Sequence, residues 1–178
     1  MNLGVSIISK EVSLKTADFL LSKPVSRVKV VTSKILAGIS CLLISDVIYI
    51  AVAGAMVLAV KNGAVSTKIF IMISITLFFV QLIFFAIGFI VSVIAPKIRS
   101  VISISLSTVF AFFITDMLGS VIGEKAVRYV TPFKYFDRMY IIKNASYEAR
   151  FIVIEIVFVA AVISAGYFIY SRKDIHTV

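Results

Sequence analysis

Four stretches of this sequence decide what it can fold into: Ile35–Val60, Ile69–Ala95, Val101–Gly123 and Phe151–Tyr170. The first holds one charge, Asp46, and the second none; the third holds Asp116 and the fourth Glu155. About 20 apolar residues in a helix cross the roughly 30 Å hydrocarbon layer of a bilayer, and each run is that long. Inside lipid every backbone N–H and C=O needs a partner within the protein, which a helix supplies by itself. A β-barrel needs repeated segments of about 10 residues alternating polar and apolar. Only "VISISLS" at 101–107 alternates in that way. With 61% of its residues hydrophobic, the chain has too little polar surface to cover a water-soluble core. The expected fold is an all-α integral membrane protein of four complete transmembrane helices, forming one domain over residues 1–178.

Several chemistries are excluded by the same residues. The one cysteine, Cys41, lies inside the first run and the one histidine, His176, is near the C-terminus. Neither a Cys/His metal site nor a Cys–His nucleophile can be assembled from them within one chain. "GSVIGEK" at 119–125 lacks the spacing of a phosphate-binding loop. No enzyme activity and no cofactor or metal are expected. The net charge of +9 is accounted for by Lys and Arg flanking membrane spans, against anionic lipid, and does not call for nucleic acid.

Four spans place both ends of the chain on one side. Residues 1–34, the "PKIR" at 96–99 and the tail from Ser171 carry ten Lys and Arg, against eight for 61–68 and 124–150. The positive-inside rule then favours cytoplasmic termini in a cell membrane. Pro96 disfavours helix at Ala95, so the second and third spans are expected to be antiparallel neighbours joined by a tight turn. The segment 124–150 interleaves Tyr129, Phe133, Tyr135, Phe136, Tyr140 and Tyr147 with basic residues. That mixture suits the headgroup level and predicts short interfacial or re-entrant helices on the outer side.

The polar stretch 13–34, "SLKTADFLLSKPVSRVKVVTSK", has an apolar edge of Leu14, Phe19, Leu20 and Leu21. Thr16 can cap a helix of one or two turns that Pro24 ends, and Ser26 can cap the next helix at Arg27. A helix so short persists only when docked on something, either lipid headgroups or another protein. Glu11 followed by "KTADFLLSKPVSRVKVVTSK" resembles the coupling segment of ABC transporter permeases of the type-two export class. The matching positions are Glu11, Thr16, Leu20, Leu21, Ser22, Pro24, Ser26, Arg27 and Lys34, with Lys15 where that family has Gly. "YVTPFKYFD" at 129–137 is similar to the family's Pro-Phe-x-x-Phe element, and "YSRKDI" at 170–175 to its terminal signature.

The resemblance implies a membrane-spanning permease subunit of an ATP-driven exporter, with ATP hydrolysis in a separate cytoplasmic ABC ATPase. It implies that 13–34 is the coupling helix, with Glu11, Thr16, Phe19, Leu20, Leu21, Pro24 and Arg27 meeting that ATPase. It implies assembly as a homodimer or heterodimer with a second permease, for export of a drug, an ion or another substrate. Permeases of this class have six spans, so the chain resembles an N-terminally truncated form in which Met1–Lys10 is the tail of an incomplete span. The alternatives are a non-transporting immunity or regulatory membrane protein, or a non-functional permease fragment.

Within the membrane, Asp46 and Gln81 fall at comparable depth, Asp46 roughly 16 Å into its span. Asp46 is expected protonated or hydrogen-bonded, with Gln81 as its partner, as interhelical glue or on a transport path. Asp116 and Glu155 fall in the outer third and are expected to snorkel or to pair with Arg128 or Arg150. Ser103, Ser107, Ala111, Thr115 and Gly119 place a small, partly polar face on the third span, suited to close helix packing.

Overall fold

A computed structural model describes residues 1–13, 26–60, 66–95, 98, 100–122 and 124–172; at 10–13, 27, 120–122 and 124–126 it describes the backbone alone. The described elements are helical: α1 (Asn2–Ser13), α2 (Arg27–Val60), α3 (Thr67–Ile94), α4 (Val101–Ile122), α5 (Glu124–Val130), a 3₁₀ turn (Pro132–Lys134), α6 (Arg138–Asn144) and α7 (Ala149–Arg172). Four of them, α2, α3, α4 and α7, are long and apolar enough to cross a membrane. They coincide with the four runs, except that α2 begins eight residues earlier than its apolar stretch. Its start is where the sequence placed it, with the Lys29 N–H donating to Ser26 Oγ at 3.4 Å.

α3 is the hub. It touches α1, α2, α7, α6 and the 3₁₀ turn. A helix in lipid gains little by hiding apolar side chains from apolar tails, so association depends on how closely surfaces fit. The fit is closest at α1. A methyl group on Gly4 would lie 2.3 Å from the Phe85 carbonyl oxygen, and one on Gly88 would lie 2.6 Å from the Met1 carbonyl oxygen. The two glycines thus face each other at a backbone-to-backbone crossing. Below it Val5, Ile8, Phe85, Phe89 and Val93 are buried together with Val31, Ile35 and Leu42 of α2. The rings of Phe85 and Phe89 fill the space that side chains on Gly38 of α2 and Gly166 of α7 would need.

The antiparallel pairing expected of α3 and α4 is not a close one. α1 touches both helices, and otherwise they meet through rings, Phe84 against Phe112 at 5.7 Å. Ala95 does take the extended geometry expected of a residue before proline, φ −76° and ψ 115°. Pro96, Lys97 and Arg99, the rest of that turn, lie outside the described residues. α4 is left with Ile102, Leu106, Phe110, Phe113, Ile114 and Met117 exposed. Similar apolar faces on α2 and α7 complete a surface that water would not tolerate and lipid would.

Candidate functional site

Three features of the bundle bear on function: the clamp at the start of α2, the polar groups buried within the spans, and the segment between α4 and α7. The clamp comes first in the chain. The ammonium of Lys34, two turns into α2, donates to the Ile7 carbonyl oxygen of α1 at 2.7 Å. A little further on, Ile7 packs on Gly38. α1 runs toward this end and α2 away from it, so Ser13 and Arg27 emerge at the same end of the bundle. Thr16, Phe19, Leu20, Leu21 and Pro24, the core of the expected coupling segment, lie outside the described residues. Glu11 falls in the last turns of α1 and Arg27 opens α2.

The buried carboxylates do not behave as the sequence suggested. Asp46 lies on the buried stripe of α2, after Val31, Ile35, Gly38 and Leu42, and is 6% exposed. Its Oδ1 has no hydrogen-bond partner among the described residues, and neither has Gln81 Oε1. The bond expected between them is not made. The register explains why. Gly38 meets Phe85 and Gly54 meets Phe70, which sets Asp46 level with residues 77 and 78, one turn from Gln81. Asp116 Oδ1 is also without a partner.

Glu155 is 2% exposed, and both of its carboxylate oxygens lack a hydrogen-bond partner. It neither snorkels nor pairs with Arg128 or Arg150. Those cations are engaged elsewhere. Arg128 forms an ion pair with Glu148, donates to the Lys134 carbonyl oxygen at 3.2 Å, and lies 4.2 Å over the Phe151 ring. Arg150 lies 5.1 Å over the Tyr129 ring.

The segment 124–150 forms an aromatic cap on α3, α4 and α7. Thr131 and Pro132 are buried, and the proline opens the 3₁₀ turn, where its missing N–H costs nothing. Phe133 then lies against Phe84 of α3 at 5.4 Å and Phe113 of α4 at 6.5 Å. Phe136 stacks on Phe79 at 5.1 Å, and Tyr147 meets both rings edge-on. The Tyr147 hydroxyl donates to the Met72 carbonyl oxygen at 2.6 Å, and that of Tyr135 to the Tyr129 carbonyl oxygen at 3.1 Å. Burial raises the pKa of Tyr135, and the neighbouring Glu155 carboxyl pushes it the same way. Asp137 caps α6 through the Met139 N–H at 2.8 Å.

Phe84 sits 10 residues before the end of α3 and Phe112 11 residues after the start of α4, so Phe133 reaches about 15 Å along both helices from the clamp end. Both phenylalanines of the Pro-Phe-x-x-Phe element thus pack on α3, and Phe133 reaches α4 as well.

The small-residue stripe of α4 is largely unused within the chain. Ser103, Ser107 and Ala111 are exposed, and the half-buried Thr115 bonds to its own helix at the Ala111 carbonyl. Gly119 alone is buried, against Val127 of α5. Sequence reasoning missed the crossing of Gly4 with Gly88, the Lys34 tether and the Arg128–Glu148 pair. A glycine in a short N-terminal segment carries no periodic signal, and a tether across 27 residues carries none either. The described residues hold no cluster of His, Cys, Asp or Glu suited to a metal.

Compared with known proteins, the chain matches the family model described as ABC-2 family transporter protein over residues 1–175. No curated protein and no solved structure gives a match.

Proposed function

The chain belongs to the ABC-2 transporter family, and from that premise we propose that it is the permease subunit of an ATP-driven exporter, worked by a separate cytoplasmic ABC ATPase. As a family member with four spanning helices it is a multi-pass membrane protein and a transport component, not itself the catalyst. The observation that carries the proposal is the clamp. α1 and α2 bracket residues 14–25, are tied by Lys34 to Ile7, and are packed on the hub helix α3. A push on the bracketed stretch would therefore be delivered to the centre of the bundle along a 34-residue helix. Coupling of this kind needs a rigid lever seated on a packed interface, and α2 supplies one.

In this reading the clamp end is cytoplasmic, in keeping with the basic residues of 1–34, and the aromatic cap faces outward in a cell membrane. Leu20, Leu21 and Phe19 dock on the ATPase, Lys15, Lys23 and Arg27 steer toward an acidic rim, and Glu11 and Thr16 shape the start of the docking turn. The exposed stripe Ser103, Ser107, Ala111 of α4 meets a second permease, identical or related, and the remaining apolar faces meet lipid. Asp46 and Gln81 stay as uncommitted polar groups inside the bundle, available to a substrate path.

Co-purification with the cognate ATPase tests the docking role. Leu20→Asp combined with Leu21→Asp should lower ATPase recovery at least tenfold, while Lys143→Ala, an exposed position on α6, should leave it unchanged. Equal recovery from both variants, each eluting as a single species of wild-type size, would reject the assignment.

A further inference from the structure

We propose that Arg128 is an exchangeable latch, paired with Glu148 in the state seen here and with Glu155 in a second state of the cap. The inference goes beyond the transport reading and holds whatever substrate is carried. Glu155 is buried with neither oxygen bonded, an arrangement that costs several kcal/mol for an ionised carboxylate inside a membrane. A carboxyl so placed is kept neutral or waits for a cation. Among the described residues, the cation placed on the face of α7 that carries Glu155 is Arg128, over Phe151. The cap presents the Tyr135 hydroxyl, already donated to Tyr129, and the Arg128 guanidinium. α3 has no charged side chain between Ile69 and Ile94. α2 carries Asp46 as its only charge beyond Lys34, and it bonds to α7 near the far end, Thr32 to Tyr167. On α7 itself, Arg150 is held over Tyr129 and Arg172 over Phe168.

Arg128 already lies over Phe151, and Phe151 is one helical turn before Glu155 on the same face of α7. The guanidinium therefore needs to slide about 6 Å along that face to exchange partners. A planar, five-donor group resting on an aromatic ring suits such a move, because the ring supports the cation on the way. In the observed state Glu155 holds its proton and Arg128 ties α5 to the loop before α7. In the second state Glu155 gives up its proton to bulk water as the cap shifts, Arg128 becomes its counter-ion, and α5 is drawn toward α7 while Glu148 is released to solvent. The cap is thus held in either of two seats by one cation.

Infrared difference spectra of the full chain in lipid nanodiscs test this. The wild type should show the carbonyl stretch of a buried protonated carboxylic acid that disappears in Glu155→Gln. In Glu148→Gln the freed Arg128 should pair with Glu155, so the same band should be lost, and it should return when Arg128→Gln is added. Persistence of the band in Glu148→Gln, or its absence from the wild type, would overturn the proposal. Should Glu148→Gln fail to fold, the band can be titrated with pH in wild type and in Arg128→Gln. Loss of the cation should move its disappearance upward by about 1–3 pH units, and an unchanged midpoint would equally overturn it.

Discussion

α3 and α4 are adjacent in sequence and alike in composition, yet 44% of the apolar window of α3 is buried within the chain against 6% for α4. Both carry small residues at helical spacing. On α3 these are met from outside: Gly88 by Gly4, and the flanking rings of Phe85 and Phe89 by Gly38 and Gly166. On the corresponding stripe of α4 it is Gly119 that is met, by Val127, while Ser103, Ser107 and Ala111 are exposed. Apolar content therefore assigns a helix to the membrane without assigning it a partner. In lipid the partner is chosen by shape, and a small residue counts only where another surface is shaped to approach it.

Substitution at matched positions sharpens the contrast. Gly88→Val puts side-chain atoms where the Met1 carbonyl and the Val5 N–H now lie, and backbone cannot yield as a side-chain tip can. The variant should lose α1 from the bundle and fail to give a monodisperse protein on size-exclusion chromatography. Ala111→Leu, on the exposed face of α4, should leave folding intact and instead reduce self-association, read by chemical cross-linking in membranes. Normal behaviour of Gly88→Val would show that the glycine crossing does not hold α1 in place.

Phe133→Ala tests a large side chain that lies against both α3 and α4. Removal of the ring should cost about 3 kcal/mol, seen as a lower thermal midpoint and as protease cleavage within 124–150. If α4 were instead anchored to α3 elsewhere, the loss would be far smaller. Tyr147→Phe removes a single hydrogen bond, to the Met72 carbonyl, and should cost about 1 kcal/mol by the same thermal assay. Ala145, at the end of α6, has φ 46° and ψ 38°, a left-handed geometry that disfavours a side chain. Ala145→Gly should raise stability by about 0.5–1 kcal/mol. A fall would mean that the alanine methyl makes a contact worth more than the relieved strain.

The helices could be read from the sequence because each is written locally. A run such as Ile69–Ala95 needs no partner to be recognised as a span, and Ser26 before Arg27 marks the start of α2 through a bond only three residues long. The aromatic character of 124–150 was equally plain, and so was the end of α3 before Pro96. The candidate site was less legible. Glu155 looked like a surface carboxylate paired with Arg128 or Arg150, because distance along the chain places it near the membrane boundary. The cap that covers it is folded back over α7, and Arg128 finds Glu148 first. The failure of Asp46 and Gln81 to meet has a similar origin, since depth in the membrane was right to within a turn and a hydrogen bond requires better than that.

Sequence alone determined that this chain lives in lipid, which four runs are long and apolar enough to cross it, and that the polar stretch 13–34 stands apart from them. Those properties are sums over neighbouring residues, and lipid as a solvent acts on the sums. Tertiary structure alone decided that α3 is central and α4 bare, that Gly4 and Gly88 cross, and that Glu155 is left unpaired beneath an occupied arginine. These depend on register and on contact shape between distant residues, where a shift of one turn exchanges one partner for another.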